Sequence, residues 1–312
     1  MKVFQYLLFC ITLLTFTSCV YNNLNRNHYL LSPDESLSLT LHGDQKNISY
    51  SLIKNGNTLI NQSKLGIVAD QFEFANDIQI ENITRSRNNT TWTQVWGEQK
   101  EIADHHNELA VQLTSNSNDI QMIIRFRLFN DGLGFRYEIP EHTELNEFKI
   151  LDELTEFNLA EDATSWWIPA YSYRRFEFLY ANTLISEISR DTYSKLVENL
   201  NGPRLGPEAV HTPFTVQRND GTCIAIHEAN LTNYSSMTLK ADGTTKMECD
   251  LIPWSDGTKV YTEVPFQSPW RTILVGNNPA ELAMSTLTLN LNEPNQLTNT
   301  DWIEPGKYIG IW

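Results

Sequence analysis

The sequence predicts an all-β fold, an enlarged many-stranded sandwich, on three observations. Short runs alternate polar and apolar residues with the two-residue period of a half-buried strand. Turn-forming Asn, Asp, Gly and Pro separate these runs, and helical periodicity is almost absent. The chain has 312 residues, of which 41% are hydrophobic and 20% charged, so it has the apolar content for a sizeable core.

The elements follow in order. Ser36 to Leu41 alternates, as does Asn47 to Ile53 until its last residue. Asn55-Gly56 then separates that run from Thr58-Leu59-Ile60, and Asn-Gly between two such runs is the strongest short-range hairpin signal. Further strands are expected at Thr91 to Trp96, Glu108 to Leu113 and Ile120 to Asn130. A turn at Asp131-Gly132-Leu133-Gly134 leads into a strand at Phe135 to Ile139. Phe214 to Ile226 reads as strand, turn and strand, pivoting on Asn219-Asp220-Gly221. Two short helices are expected, at Thr192 to Asn199 and Pro279 to Ser285. Asn290 to Asn299 is polar, contains Pro294, and reads as a linker. Beyond it, the turn Pro305-Gly306 precedes the apolar run Tyr308 to Trp312, whose pattern is that of a strand buried on both faces.

The first nineteen residues read as a targeting segment. Lys2 supplies the positive charge, and Val3 to Phe16 is mostly apolar but short for a membrane span. Phe16-Thr17-Ser18-Cys19 resembles a bacterial lipobox, which would make Cys19 a lipidated first residue on the outer membrane, facing the periplasm. Phe16 stands where such motifs usually carry Leu, and an ordinary secretory signal is the alternative. Apart from Cys10 and Cys19, only Cys223 and Cys249 remain. An exported protein permits them to pair, but both fall in strand-like runs and suit buried thiols equally well. The formal net charge of −15 argues against a nucleic-acid partner, because phosphate backbones select basic surfaces.

Five segments together resemble the N-terminal domain of glycoside hydrolase family 97. They are Asn130 to Pro140 (NDGLGFRYEIP), Ile226 to Tyr234 (IHEANLTNY), Ser268 to Thr272 (SPWRT), Leu289 to Asn292 (LNLN) and Trp302 to Trp312 (WIEPGKYIGIW). Each is weak alone, and five in order over nearly the whole mature chain are specific. The resemblance implies a β-super-sandwich similar to the galactose mutarotase fold, spanning residues 25–293. In that family the sandwich precedes a (β/α)8 catalytic barrel and a small C-terminal β domain, and the activities are those of α-glucosidases and α-galactosidases. Residues 294–312 would be the linker and first barrel strand.

Glycoside hydrolysis needs two carboxyl groups flanking the scissile bond. By the resemblance both lie on the barrel, so no catalytic residue is assigned here and the chain alone is expected to be inactive. Glu228 is the exception in its role. Its family counterpart reaches across to the barrel and ligates calcium, an ion that gathers six to eight oxygens and can draw them from two domains. Without the resemblance Glu228 would read as a solvated acid at a strand end. His227, on the opposite face by alternation, is given no role. Trp270 and Arg271 either engage a sugar or brace the sandwich against the barrel. Trp166, Trp167, Tyr171, Tyr173 and Tyr180 form an aromatic-rich stretch that suits sugar stacking or core and interface packing. The expected partners are α-linked oligosaccharides, the barrel, and the outer membrane through Cys19. A stand-alone carbohydrate-binding lipoprotein, or one half of a split α-glucosidase or α-galactosidase, are the alternative readings.

Overall fold

The computed structural model describes residues 28–43, 47–115, 118–171, 178–196, 208–304 and 306–311. The signal segment 1–19 with Cys10 and Cys19, Tyr173, the end of the helix expected to run to Asn199, Pro305 and Trp312 lie outside these residues.

The first sheet is a meander of β1 (His28–Leu31), β2 (Leu37–Gly43), β3 (Ile48–Lys54) and β4 (Asn57–Leu65). Lys54 pairs with Asn57 across the Asn55-Gly56 turn, and both turn residues have positive φ, 49° and 83°. That is the mirror-image turn that matches strand twist, and Gly56 adopts it without steric penalty. The next strands are β5 (Ile67–Ala69), β6 (Glu73–Phe74), β7 (Ile78–Thr93), β8 (Glu101–Ser115), β9 (Asn118–Phe129), β10 (Gly132–Ile139) and β11 (Glu147–Glu153). After them come β12 (Glu156–Asn158), β13 (Thr164–Trp167), β14 (Ala181–Leu184), β15 (Ala209–His211), β16 (Phe214–Gln217) and β17 (Cys223–Ala229). The last are β18 (Met237–Ala241), β19 (Lys246–Leu251), β20 (Val260–Glu263), β21 (Phe266–Gln267) and β22 (Trp270–Gly276).

A ten-stranded sheet runs β14-β13-β16-β17-β22-β10-β9-β8-β7, with β21 paired to β10. It forms one layer. The other layer is built from three four-stranded sheets: the meander, β20-β11-β5-β6, and β12-β19-β18-β15. The meander meets β12's sheet through a bridge between Ile60 and Leu159. One continuous core lies between the layers. At its centre Phe135 of β10 contacts Tyr50, Phe126 and Phe157, with ring centroids 5.2, 5.8 and 6.3 Å away. Burying each such ring stabilises the fold by roughly 1.5–3 kcal/mol. The all-β sandwich expected from alternation is therefore the observed fold.

Helices are short. They are α1 (Arg190–Leu196), α2 (Pro279–Met284) and α3 (Leu287–Leu291). Asn278 caps α2 by accepting the Glu281 N–H at 3.2 Å, with Pro279 in the first turn where its missing N–H is harmless. No helix among the described residues is long and apolar enough to cross a membrane.

Several local expectations change. Leu133 and Gly134 belong to β10 and not to the turn, which is confined to Asn130-Asp131. Gly134 lies under α3, where a Cβ would come within 2.4 Å of Leu291 Cδ1. The strand expected at Thr91 to Trp96 is the far end of β7, and Val95 and Trp96 lie past it. The linker does not begin at Asn290. That residue is buried in α3, donating to Ala103 O at 2.9 Å and accepting from Trp92 Nε1 at 2.8 Å. Tyr308, Ile309 and Ile311 form no strand and are 93–99% exposed. Cys223 and Cys249 are both free buried thiols.

Candidate functional site

The site is built on β17, whose pattern Cys-Ile-Ala-Ile-His-Glu-Ala sends alternate residues to opposite faces. Ile224 and Ile226 enter the core between the layers, and Glu228 shares their parity. His227 takes the other face, half-buried, with Nδ1 3.2 Å from the Thr212 hydroxyl. On the neighbouring strand β22, Glu228 pairs directly with Arg271. Glu228 lies at the end of its strand, as an acid read without the resemblance would, but it projects inward and is not solvated.

Arg271 is fully buried and uses its guanidinium as a fork. Nε and Nη2 donate to the two carboxylate oxygens of Glu153 at 2.8 and 2.7 Å, and Nη1 donates to Glu228 Oε2 at 2.7 Å. Such bidentate pairing combines charge with fixed geometry. Glu153 also accepts from Tyr234 Oη at 2.8 Å and from Thr155 Oγ1 at 2.9 Å. The Thr155 hydroxyl in turn lies 2.8 Å from Tyr137 Oη. Burial pushes the Glu153 carboxyl up, but the Arg271 charge and the hydrogen bonds of Arg271, Tyr234 and Thr155 outweigh it and hold it below its usual value.

Glu228 differs. Burial raises its carboxyl above the usual range, and Arg271 and the Met237 N–H offset this only in part. The Met237 amide is long to both oxygens, 3.2 and 3.3 Å. Oε2 is committed to Arg271, whereas among the described residues Oε1 meets only that shared amide. Glu228 is therefore a fixed carboxylate with spare acceptor capacity. Among the described residues no group of three or more His, Cys, Asp or Glu gathers to hold a metal. Glu228 fits calcium as one ligand of several and could not hold it alone.

Trp270 and Arg271 are both buried within the sandwich, on opposite faces of β22. Trp270 packs with Phe129, Ala229, Leu287 and Leu291, between the guanidinium groups of Arg136 at 4.6 Å and Arg127 at 4.8 Å. Of the aromatic-rich stretch, Trp167 is buried against Tyr193 with centroids 5.5 Å apart, and Trp166 is half-buried. Tyr171 donates to Asp250 Oδ2 at 2.6 Å, and Tyr180 is exposed.

Sequence reasoning missed Glu153, Thr155 and Tyr234. Strict alternation from Phe148 and Ile150 would turn Asp152 inward. A register shift between Ile150 and Asp152, where β11 pairs with β5, sends Glu153 inward instead.

The glycosyl-hydrolase 97 N-terminal family model matches residues 30–294. The chain belongs to that family. The family 97 domain is 22% identical to a retaining alpha-galactosidase of Bacteroides thetaiotaomicron, an alignment covering all of this chain and 47% of that protein. It is 36% identical to a glycoside hydrolase family 97 enzyme from Pseudoalteromonas sp. strain K8, with a TM-score of 0.80 over 89% of this chain and 40% of that one. Structures of that enzyme hold panose and acarbose. A β-arabinopyranosidase shares the fold at 19% identity and a TM-score of 0.76. The chain spans less than half the length of these relatives.

Proposed function

We propose that this family 97 domain shapes the substrate pocket of a calcium-dependent α-glycoside hydrolase and contributes Glu228 to the ion. The observation that carries this reading is the half-committed Glu228 carboxylate, held by Arg271 through Oε2 and meeting a long, shared amide at Oε1. A bound calcium would polarise neighbouring groups and orient sugar hydroxyls. This chain's own part is positional. Arg271, itself locked on Glu153, fixes Glu228 Oε2 and so sets the direction of Oε1. The general acid and its partner carboxylate belong to the barrel of such enzymes, and α-linked oligosaccharides are the substrate class. The Thr17-Ser18-Cys19 motif supports a lipid anchor that holds the protein in the periplasm at the outer membrane.

The purified chain should release no chromophore from nitrophenyl α-glucosides or α-galactosides. Turnover that persists after removal of contaminating enzyme would overturn the reading. A calcium titration supplies the second check. The chain alone should show no site tighter than about 10⁻⁵ M, the weak end of sensor sites. A tighter site abolished by Glu228→Gln would show that more ligands converge here than a single carboxylate.

A further inference from the structure

A groove of about 1040 Å³ opens on the small-sheet layer, between β11, β20 and the loops 233–236 and 252–259. This exceeds the roughly 300–1000 Å³ typical of small-molecule sites. Two aromatic rings on its wall face solvent, Trp254 at 65% exposure and Tyr261 at 51%. The two rings share one groove, and a ring of this size can bury roughly 150–250 Å² against a ligand.

Trp254 is presented by a braced turn. Its N–H donates to Thr258 O at 2.8 Å, and Gly257 N donates back to Trp254 O at 3.0 Å. Asp256 accepts from the Thr258 amide and hydroxyl, each at 3.0 Å, and from Tyr261 Oη. The turn that carries one ring is thereby tied to the other ring. A ligand meeting them need not order the loop first, which is the advantage of preorganisation.

The charges around the rings are mixed. Asp70, Glu147 and Glu263 line the groove alongside Lys149 and Lys259. Lys149 sits 5.4 Å from the Tyr261 centroid, and Lys259 is spent on Asp250 and the Leu251 carbonyl. No single sign dominates, so an ionic ligand gains little. A neutral polyhydroxylated ligand suits aromatic faces flanked by both hydrogen-bond donors and acceptors.

From these features we infer that the groove is a carbohydrate-binding subsite, separate from Glu228, in which Trp254 is the stacking platform and Tyr261 the second wall. The choice of α-linked sugar rests on the function proposed above; the groove itself does not. The floor includes Tyr234, whose hydroxyl is bonded to Glu153. The subsite and the Glu228 anchor therefore share one residue while their recognising groups differ.

The test is calorimetric titration of the full chain with maltotriose and raffinose, with cellobiose as the β-linked control. Trp254→Ala, Tyr261→Ala and Glu228→Gln variants run in parallel, and their thermal melts by circular dichroism confirm folding. Saturable binding weakened about tenfold or more by Trp254→Ala and unchanged by Glu228→Gln is the expected result. Binding lost in Glu228→Gln but kept in Trp254→Ala would overturn the groove and leave the proposed function standing. Binding to cellobiose alone would keep the groove and overturn the α-linked reading. No binding at tens of millimolar sugar, or binding indifferent to both aromatic residues, would overturn the groove.

Discussion

Trp270 and Arg271 are consecutive residues of one strand, yet they anchor two different polar clusters on opposite faces of the large sheet. The inner cluster buries Arg271 with Glu153 and Glu228 inside the sandwich. The outer cluster sets Trp270 between Arg127 and Arg136, whose neighbours Arg125, Glu108 and Glu138 complete a network still partly open to water. In the outer cluster Glu138 accepts from Arg125 Nε at 2.8 Å and Arg136 Nε at 2.7 Å, so cations outnumber carboxylates. In the inner one two carboxylates share one cation. An ion pair in water-accessible surroundings contributes little, whereas removing one partner of a buried pair strands a charge. The inner cluster should therefore dominate stability, and its surplus carboxylate is the group available for a ligand.

The largest expected effect is at Arg271. Arg271→Ala strands Glu153 and Glu228 and should cost about 3–5 kcal/mol in urea unfolding. A loss under about 1 kcal/mol would mean that water reaches the cluster and that the contrast between the faces fails.

The two inner carboxylates should then separate. Glu153→Gln breaks the bidentate pair and should destabilise by about 3 kcal/mol. Glu228→Gln removes one charge-assisted bond to Arg271 and leaves the bidentate Glu153 pair intact, so it should cost less, about 2 kcal/mol. Equal losses in the two variants would show that Glu228 is as structural as Glu153, which weakens its assignment to calcium.

The outer cluster is tested by acid. Opposing the burial that raises them, Arg127 and Arg125 hold Glu108 below its usual value, and Arg125 and Arg136 do the same for Glu138. A carboxyl depressed in the folded state contributes stability above its unfolded value near 4.5 and loses that contribution as pH falls through the folded one. Glu138→Gln should lower stability at pH 7 and flatten its decline below about pH 4.5 in urea melts collected across pH. A decline as steep as in the parent chain would assign acid sensitivity to other carboxyls.

The smallest effect is expected at the pad beneath Trp270. Asn290→Ala removes two hydrogen bonds that tie α3 to the β7–β8 hairpin and should cost about 1–2 kcal/mol. Hydrogen exchange should quicken in α3 and leave β17 protected. Equal loss of protection in β17 would show that the two faces open as one unit.

Much of this architecture was readable because it is local. Asn55-Gly56 specifies its own turn, and β17 announces its inward face through Ile224 and Ile226. Where neighbours in space decide, the sequence is silent. β7 is a 16-residue edge strand exposed along most of its length, so it has no alternation to display. Asn290 looks like linker until Trp92, 198 positions earlier, is seen to bond it. Glu228 could be singled out through the family motif, but its environment could not. Glu153 is 118 positions from Arg271 and reaches it only because a bulge inverts the parity of β11.

The strand that carries Glu228 ends in a clip. Asn230 N donates to Asn292 Oδ1 at 2.9 Å, and the same Asn292 caps the end of α3 through its own amide to Leu289 O. From Glu293 onward the chain is largely exposed. Two residues past Glu228, a single asparagine thus joins the metal-ligand candidate to the point where the polypeptide leaves the sandwich. The residues after Asn292 therefore set out from a position pinned, through one hydrogen bond, to the loop beside that carboxylate.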